Sequence, residues 1–91
     1  MFVRAVITVI GKDRVGIIAA VSNILAEKNV NILDISQTTM QDMFTMIMLA
    51  DISKMNTDMA SLSESLEKKG MEQGLSIKIQ HEDIFNSMHR L

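Results

Sequence analysis

Twice along this 91-residue chain, alternating apolar side chains give way to helical spacing and then return to alternation, and few folds accommodate that order. Residues 3–10, Val-Arg-Ala-Val-Ile-Thr-Val-Ile, are rich in β-branched side chains and place Val3, Ala5, Ile7 and Val9 on one face of a first strand. Gly11, Lys12 and Asp13 break the pattern. From Val15 onward, Ile17, Val21, Ile24, Leu25 and Lys28 share one stripe, which predicts a helix over about 14–28. Asp13 has the chemistry of its N-cap, because a carboxylate accepts from the free N–H groups of a first helical turn.

After Lys28 and Asn29, the stretch Val30 to Met40 alternates Ile32, Asp34, Ser36, Thr38 and Met40 with Leu33, Ile35, Gln37 and Thr39, a second strand that is partly polar on both faces. Gln41 and Asp42 form the turn of a hairpin. Met43 to Ile52 is an almost unbroken apolar run, the pattern of a central strand covered on both sides. Beyond a loop at Ser53 to Asn56, the positions Met59, Leu62, Leu66 and Lys69 predict a second helix over about 57–69, stopped by Gly70. Leu75, Ile77, Ile79 and His81 then alternate after the Gly74 turn as a fourth strand. Asp83 caps a short helical tail lined by Ile84, Phe85, Met88 and Leu91.

The order β-α-β-β-α-β is an α+β, ferredoxin-like sandwich: a four-stranded antiparallel sheet with two helices on one face and a short C-terminal helical tail. Residues 1–91 have room for a single domain. Helices on one side leave the other sheet face apolar through Val6 and Ile10, together with one set of third-strand side chains. A face of that kind marks an interface. The expectation is a homodimer or higher homo-oligomer, with the tail as a secondary cover.

Composition excludes several function classes. The chain has no cysteine, so no disulfide framework or thiol chemistry is available, and a reducing cytoplasm is the expected compartment. Its apolar runs fall short of the roughly 20 residues that cross a bilayer. A net charge of −2 with dispersed Lys and Arg, and only three aromatic residues, gives no footprint for nucleic acid. His81 and His89 stand eight apart with no acidic ligand cluster, so no metal or other cofactor is expected, and His81 reads as a partly buried, hydrogen-bonded strand residue. The nine methionines read as flexible filling of core and interface. No acid–base pair accompanies an oriented nucleophile, which argues against an enzyme.

Gly11 and Gly16 bracket the loop that enters the first helix, where a phosphate-binding loop would lie, but Ile17-Ile18 stands where that loop needs Lys-Ser/Thr. Two readings remain for this loop. Its glycines make the turn and let helix and strand approach closely, or the free N–H groups of the helix start hold a small anion. Likewise, Asp34, Ser36, Gln37 and Thr38 serve either interface hydrogen bonding or ligand contact.

The run Gly11-Lys12-Asp13-Arg14-Val15-Gly16-Ile17, followed by Asn29-Val30-Asn31-Ile32, resembles the D-R-x-G-I/L loop and N-I-x strand start of the ACT domain family. Asp34-Ile35-Ser36-Gln37-Thr38 and Phe44-Thr45-Met46 extend the resemblance to the small stand-alone ACT proteins of the UPF0237 kind, related to the glycine cleavage system regulator. Val15 stands where many relatives carry proline. The resemblance implies a regulatory fold that pairs through its sheets and binds an amino acid or similar small effector between subunits. Carried over by position, the loop supplies Gly11, Lys12, Asp13, Arg14 and Gly16, and a neighbour's strand supplies Asn31 and Ile32. Having no output domain, such a chain would act on a regulated protein partner or by sequestering its ligand. The competing expectation is a pure oligomerisation module with a vestigial pocket.

Overall fold

A computed structural model describes residues 3–88. His89 and Leu91 of the sequence reading lie outside the described residues. The elements are β1 (Arg4–Lys12), α1 (Ile17–Glu27), β2 (Asn31–Met40), β3 (Met43–Asp51), α2 (Met59–Gln73), β4 (Leu75–His81) and α3 (Glu82–Met88). The strands form one sheet in the order β2-β3-β1-β4, and every pairing is antiparallel. This is the expected ferredoxin-like arrangement.

The register explains which side chains meet. Ala5, Ile7 and Val9 of β1 face the same side as Ala50, Met48 and Met46 of β3, and Ile79 and Ile77 of β4 share that side. Against it lie Ile17, Val21 and Leu25 from α1 with Leu62 and Leu66 from α2, and these residues form one continuous core. Each buried Leu, Ile or Met contributes about 1.5–3 kcal/mol. By comparison, the exposed Arg4–Glu82 pair at 2.8 Å contributes about 0–1 kcal/mol, so packing decides the fold.

Helix ends depart from the sequence reading in three places. Asp13 does not cap α1: the helix starts at Ile17, Gly16 occupies the cap position at φ 91°, and no side chain caps it. The Asp13 backbone N–H instead donates to the carbonyl of Asp42 in the β2–β3 turn at 2.7 Å. Gly70 does not end α2 but lies inside it, and Gly74 at φ 71° ends it. A Cβ at residue 70 would stand 2.6 Å from the Leu75 carbonyl oxygen, so glycine is required there by close approach to β4. Finally, α3 begins directly after β4, placing Asp83 inside its first turn rather than at a cap.

Other helix ends follow local chemistry. Asn29 takes the left-handed conformation at φ 59° after α1, and the Val30 N–H returns to the Leu25 carbonyl. Asp58 caps α2, its carboxylate accepting from the Ser61 N–H at 2.7 Å. That bond holds the Asp58 carboxyl below its ordinary value of 3.8.

The second face of the sheet is only half covered. The short helix α3 packs over β1 and β4 above Val6, which is 7% exposed, while Ile10 and Ile47 remain 44% and 42% exposed. The central strand β3 is therefore covered on both sides only along part of its length. His81 is exposed at the end of β4, contrary to the partly buried position expected.

Two measurements check this account. Gly70→Ala should lower stability by about 1–3 kcal/mol despite alanine's better helix propensity, because the contacting atom is backbone; unchanged chemical denaturation would contradict the close approach. Because folding depresses the Asp58 pKa, its contribution is complete above the unfolded value and is lost as pH falls through the folded one. The Tm difference between wild type and Asp58→Ala should accordingly narrow as pH falls from neutral to below 3.8.

Candidate functional site

At the end of the sheet where β1 finishes, α1 turns back over β3 and β2, leaving an open cleft of ≈ 440 Å³ between its first turn and the strands. Asp13, Arg14 and Gly16 line it from the loop, Ile17, Ile18 and Ala19 from α1, and Gln37, Thr39 and Phe44 from the sheet. The first α1 bond runs from the Ala20 N–H to the Gly16 carbonyl at 2.9 Å, so the N–H groups of Ile17, Ile18 and Ala19 have no acceptor within the helix. With no side-chain cap, they present a positive dipole end to the cleft. A carboxylate-sized anion suits that chemistry.

The loop residues divide by role. Gly16 is there for its backbone: nothing lies within 4 Å of a Cβ built on it, but its positive φ strains any other L residue. Gly11 does not line the cleft; it lies inside β1, where a Cβ would meet Leu75 Cδ2 at 2.5 Å. Close packing does require glycine at position 11, but against the neighbouring strand β4 rather than between helix and strand. Lys12, the last residue of β1, pairs with Met43 and is exposed on the open sheet face. Arg14 reaches across to α2, where its Nη1 donates to the Gln73 carbonyl at 3.1 Å. There it offsets the negative helix end while its stem borders the cleft.

Asn31 and Ile32 lie elsewhere. Asn31 pairs with Asp51, seven residues along β3 from Phe44, which places it about 24 Å from the cleft. There it lines a second hollow of ≈ 410 Å³ with Asn29, Asp51 and Lys54, while Ile32 is half-buried against the core. One Asp51 oxygen accepts from the Ser53 N–H at 2.9 Å, and hydrogen bonds from Ser53 hold the Asp51 carboxyl below its ordinary value of 3.8. Within one chain, the residues grouped by sequence therefore occupy opposite ends of the sheet.

A bulge sorts the polar residues of β2. Ile32 pairs with Ala50 and Asp34 with Leu49, leaving Leu33 unpaired and reversing the alternation beyond it. Ile35, Gln37 and Thr39 consequently share the helix-covered face with Met48, Met46 and Phe44, whereas Asp34, Ser36 and Thr38 share the open face. Of the four polar residues singled out in the sequence, only Gln37 reaches the cleft. Thr39 and Phe44 carried no signal for it in the sequence, since which face each occupies depends on the bulge and the register.

The ACT domain family model matches residues 4–80. The chain belongs to the ACT domain family. It is 57% identical over 88 residues to a UPF0237 protein of Methanocaldococcus jannaschii, covering 97% of this chain and 98% of that one. A UPF0237 protein of Clostridium perfringens is 60% identical over 88 residues, covering 97% and 99%. Among solved structures, an ACT domain protein from Streptococcus pneumoniae is 41% identical with a TM-score of 0.79, covering 91% of this chain and 93% of that one. A putative glycine cleavage system transcriptional repressor is 27% identical with a TM-score of 0.75; the match covers 89% of this chain but 46% of that one.

The backbone role of Gly16 in this ACT domain is directly testable. Gly16→Ala should cost about 1–2 kcal/mol and Gly16→Asn clearly less, because asparagine tolerates the left-handed region. Equal unfolding free energies for the two variants would contradict that role.

Proposed function

We propose that this chain is a regulatory domain that binds an amino acid or a chemically similar small carboxylate between two copies of itself and acts through a partner protein. One observation carries the reading: the cleft at the start of α1 and the Asn31 hollow lie at opposite ends of the sheet, on the side of its free edge strand, β2. Antiparallel pairing of β2 with β2 of a second copy brings Asn31 of each copy beside Met40, and hence beside the cleft, of the other. Every residue of β2 except Ile32 is exposed, so the edge is open to such pairing.

In the composite site, the α1 N–H groups hold the effector carboxylate, and the second copy's Asn31 bonds its amino group or side chain. The effector then favours the paired state, and that population shift is what a partner protein reads. Family membership supports a regulatory rather than a catalytic role. Among the described residues no helix is long and apolar enough to cross a membrane. We place the domain in the cytoplasm, where free amino acids report metabolic state.

A thermal-shift screen against the twenty amino acids and common 2-oxo acids tests this reading, with Gln37→Ala and Asn31→Ala alongside. Saturable stabilisation, about 2.7 kcal/mol at a hundred times Kd, should appear for a small subset and weaken in both variants. No shift with any compound would leave a self-association module without an effector.

A further inference from the structure

The loop bordering the cleft is tied from two sides. The Asp13 N–H donates to the Asp42 carbonyl at 2.7 Å, which fixes the loop to the β2–β3 turn through backbone alone. The other tie is a side chain: Arg14 Nη1 donates to the Gln73 carbonyl at 3.1 Å, at the end of α2. Arg14 is exposed, and neither ion pair among the described residues, Arg4–Glu82 or Lys69–Glu72, includes it. A guanidinium is a planar fork of N–H donors that matches a carboxylate, so a single bond to a neutral carbonyl uses little of it.

Arg14 is also the only cation among the described residues that line the cleft, and Asp13 lines it too. The Asp13 carboxylate repels an incoming carboxylate, and Arg14 offsets that repulsion best when its guanidinium turns to the anion. Paired charge-assisted bonds to a carboxylate are stronger than one bond to a carbonyl, so an anion in the cleft draws Arg14 away from Gln73. The end of α2 is sensitive to that loss. No basic residue lies in its last turn, and Gly74, at φ 71°, closes it through an N–H bond to the Gly70 carbonyl. Leu75 then starts β4, packed so closely that a Cβ on Gly11 would stand 3.1 Å from the Gly74 carbonyl oxygen.

We propose that Arg14 is a latch that exchanges the Gln73 carbonyl for the effector's carboxylate, so that occupancy of the cleft releases the junction between α2 and β4. The latch rests on the functional reading above and deepens it. It names the side chain that senses the carboxylate and the place where binding is felt within one chain. This signal needs no change in assembly.

Solution NMR on the full chain tests the latch. The Gln73 carbonyl carbon shift and the Gly74 amide exchange rate report on the end of α2, and the amides of residues 17–19 report on the cleft. The probe is a mixture of the twenty amino acids and common 2-oxo acids. Without it, Arg14→Met should move the Gln73 carbonyl shift and speed Gly74 exchange; Arg14 is exposed, and circular dichroism melts confirm that the variant stays folded. In wild type the mixture should shift the amides of residues 17–19 and bring Gln73 and Gly74 to the values of the ligand-free variant. In Arg14→Met the cleft amides should need a concentration about tenfold higher or more, with no further response at Gln73 or Gly74. A wild-type cleft that responds while Gln73 and Gly74 do not, or a ligand-free Arg14→Met protein with an unmoved Gln73 carbonyl, would overturn the latch and leave the effector site standing. No response at residues 17–19 would overturn the effector site, and the latch with it.

Discussion

The ladder between β1 and β3 is the contact on which the rest of the structure depends. Its register runs from Arg4 opposite Asp51 to Lys12 opposite Met43, and it occupies the middle of the sheet, with β2 and β4 added outside. The pairing sets Ala5, Ile7 and Val9 beside Ala50, Met48 and Met46, and those six side chains are the floor on which both helices rest. A slip by one residue would turn these side chains to the opposite face. The same ladder sets the distance between the cleft and Asn31, since both are tied to opposite ends of β3.

The proposed function rests on what the single chain leaves unfinished. The cleft at α1 has donors without acceptors, β2 has an edge without a neighbour, and the second sheet face has a cover over one end only. Each is a cost to an isolated molecule of this size, whose small core leaves a narrow margin of stability. In the assembly proposed above, the first two are relieved by a second copy. The bond from the Asp13 N–H to the Asp42 carbonyl ties the loop bordering the cleft to the β2–β3 turn beside the bare face.

Much of the fold is legible from residues alone. Alternation located β1 and β4, the Gln41-Asp42 turn marked the hairpin, and helical stripes identified the buried positions of α1 and α2. These signals survive because each comes from one element meeting one surface. Asp13, Gly70 and Leu33 misled for the opposite reason. The Asp13 backbone is engaged by a turn 29 residues further along the chain, and Gly70 accommodates a carbonyl from the following strand. At Leu33, pairing with β3 reverses the faces of β2.

The candidate site divides along the same line. Its loop and its helix start were readable in the sequence, because a glycine before a helix has local consequences, whereas Asn31 was implied only by the resemblance to the family. That Gln37, Thr39 and Phe44 complete the cleft, that Gly11 packs against Leu75 instead, and that Asn31 lies at the far end of the sheet were decided by strand pairing. By itself the sequence determined which segments become strand or helix and which side of most of them is apolar, since those follow from the spacing of neighbouring side chains. Only the tertiary structure decided which residues share a cleft and which faces stay open, because register, bulge and sheet order arise from contacts between segments distant in the chain.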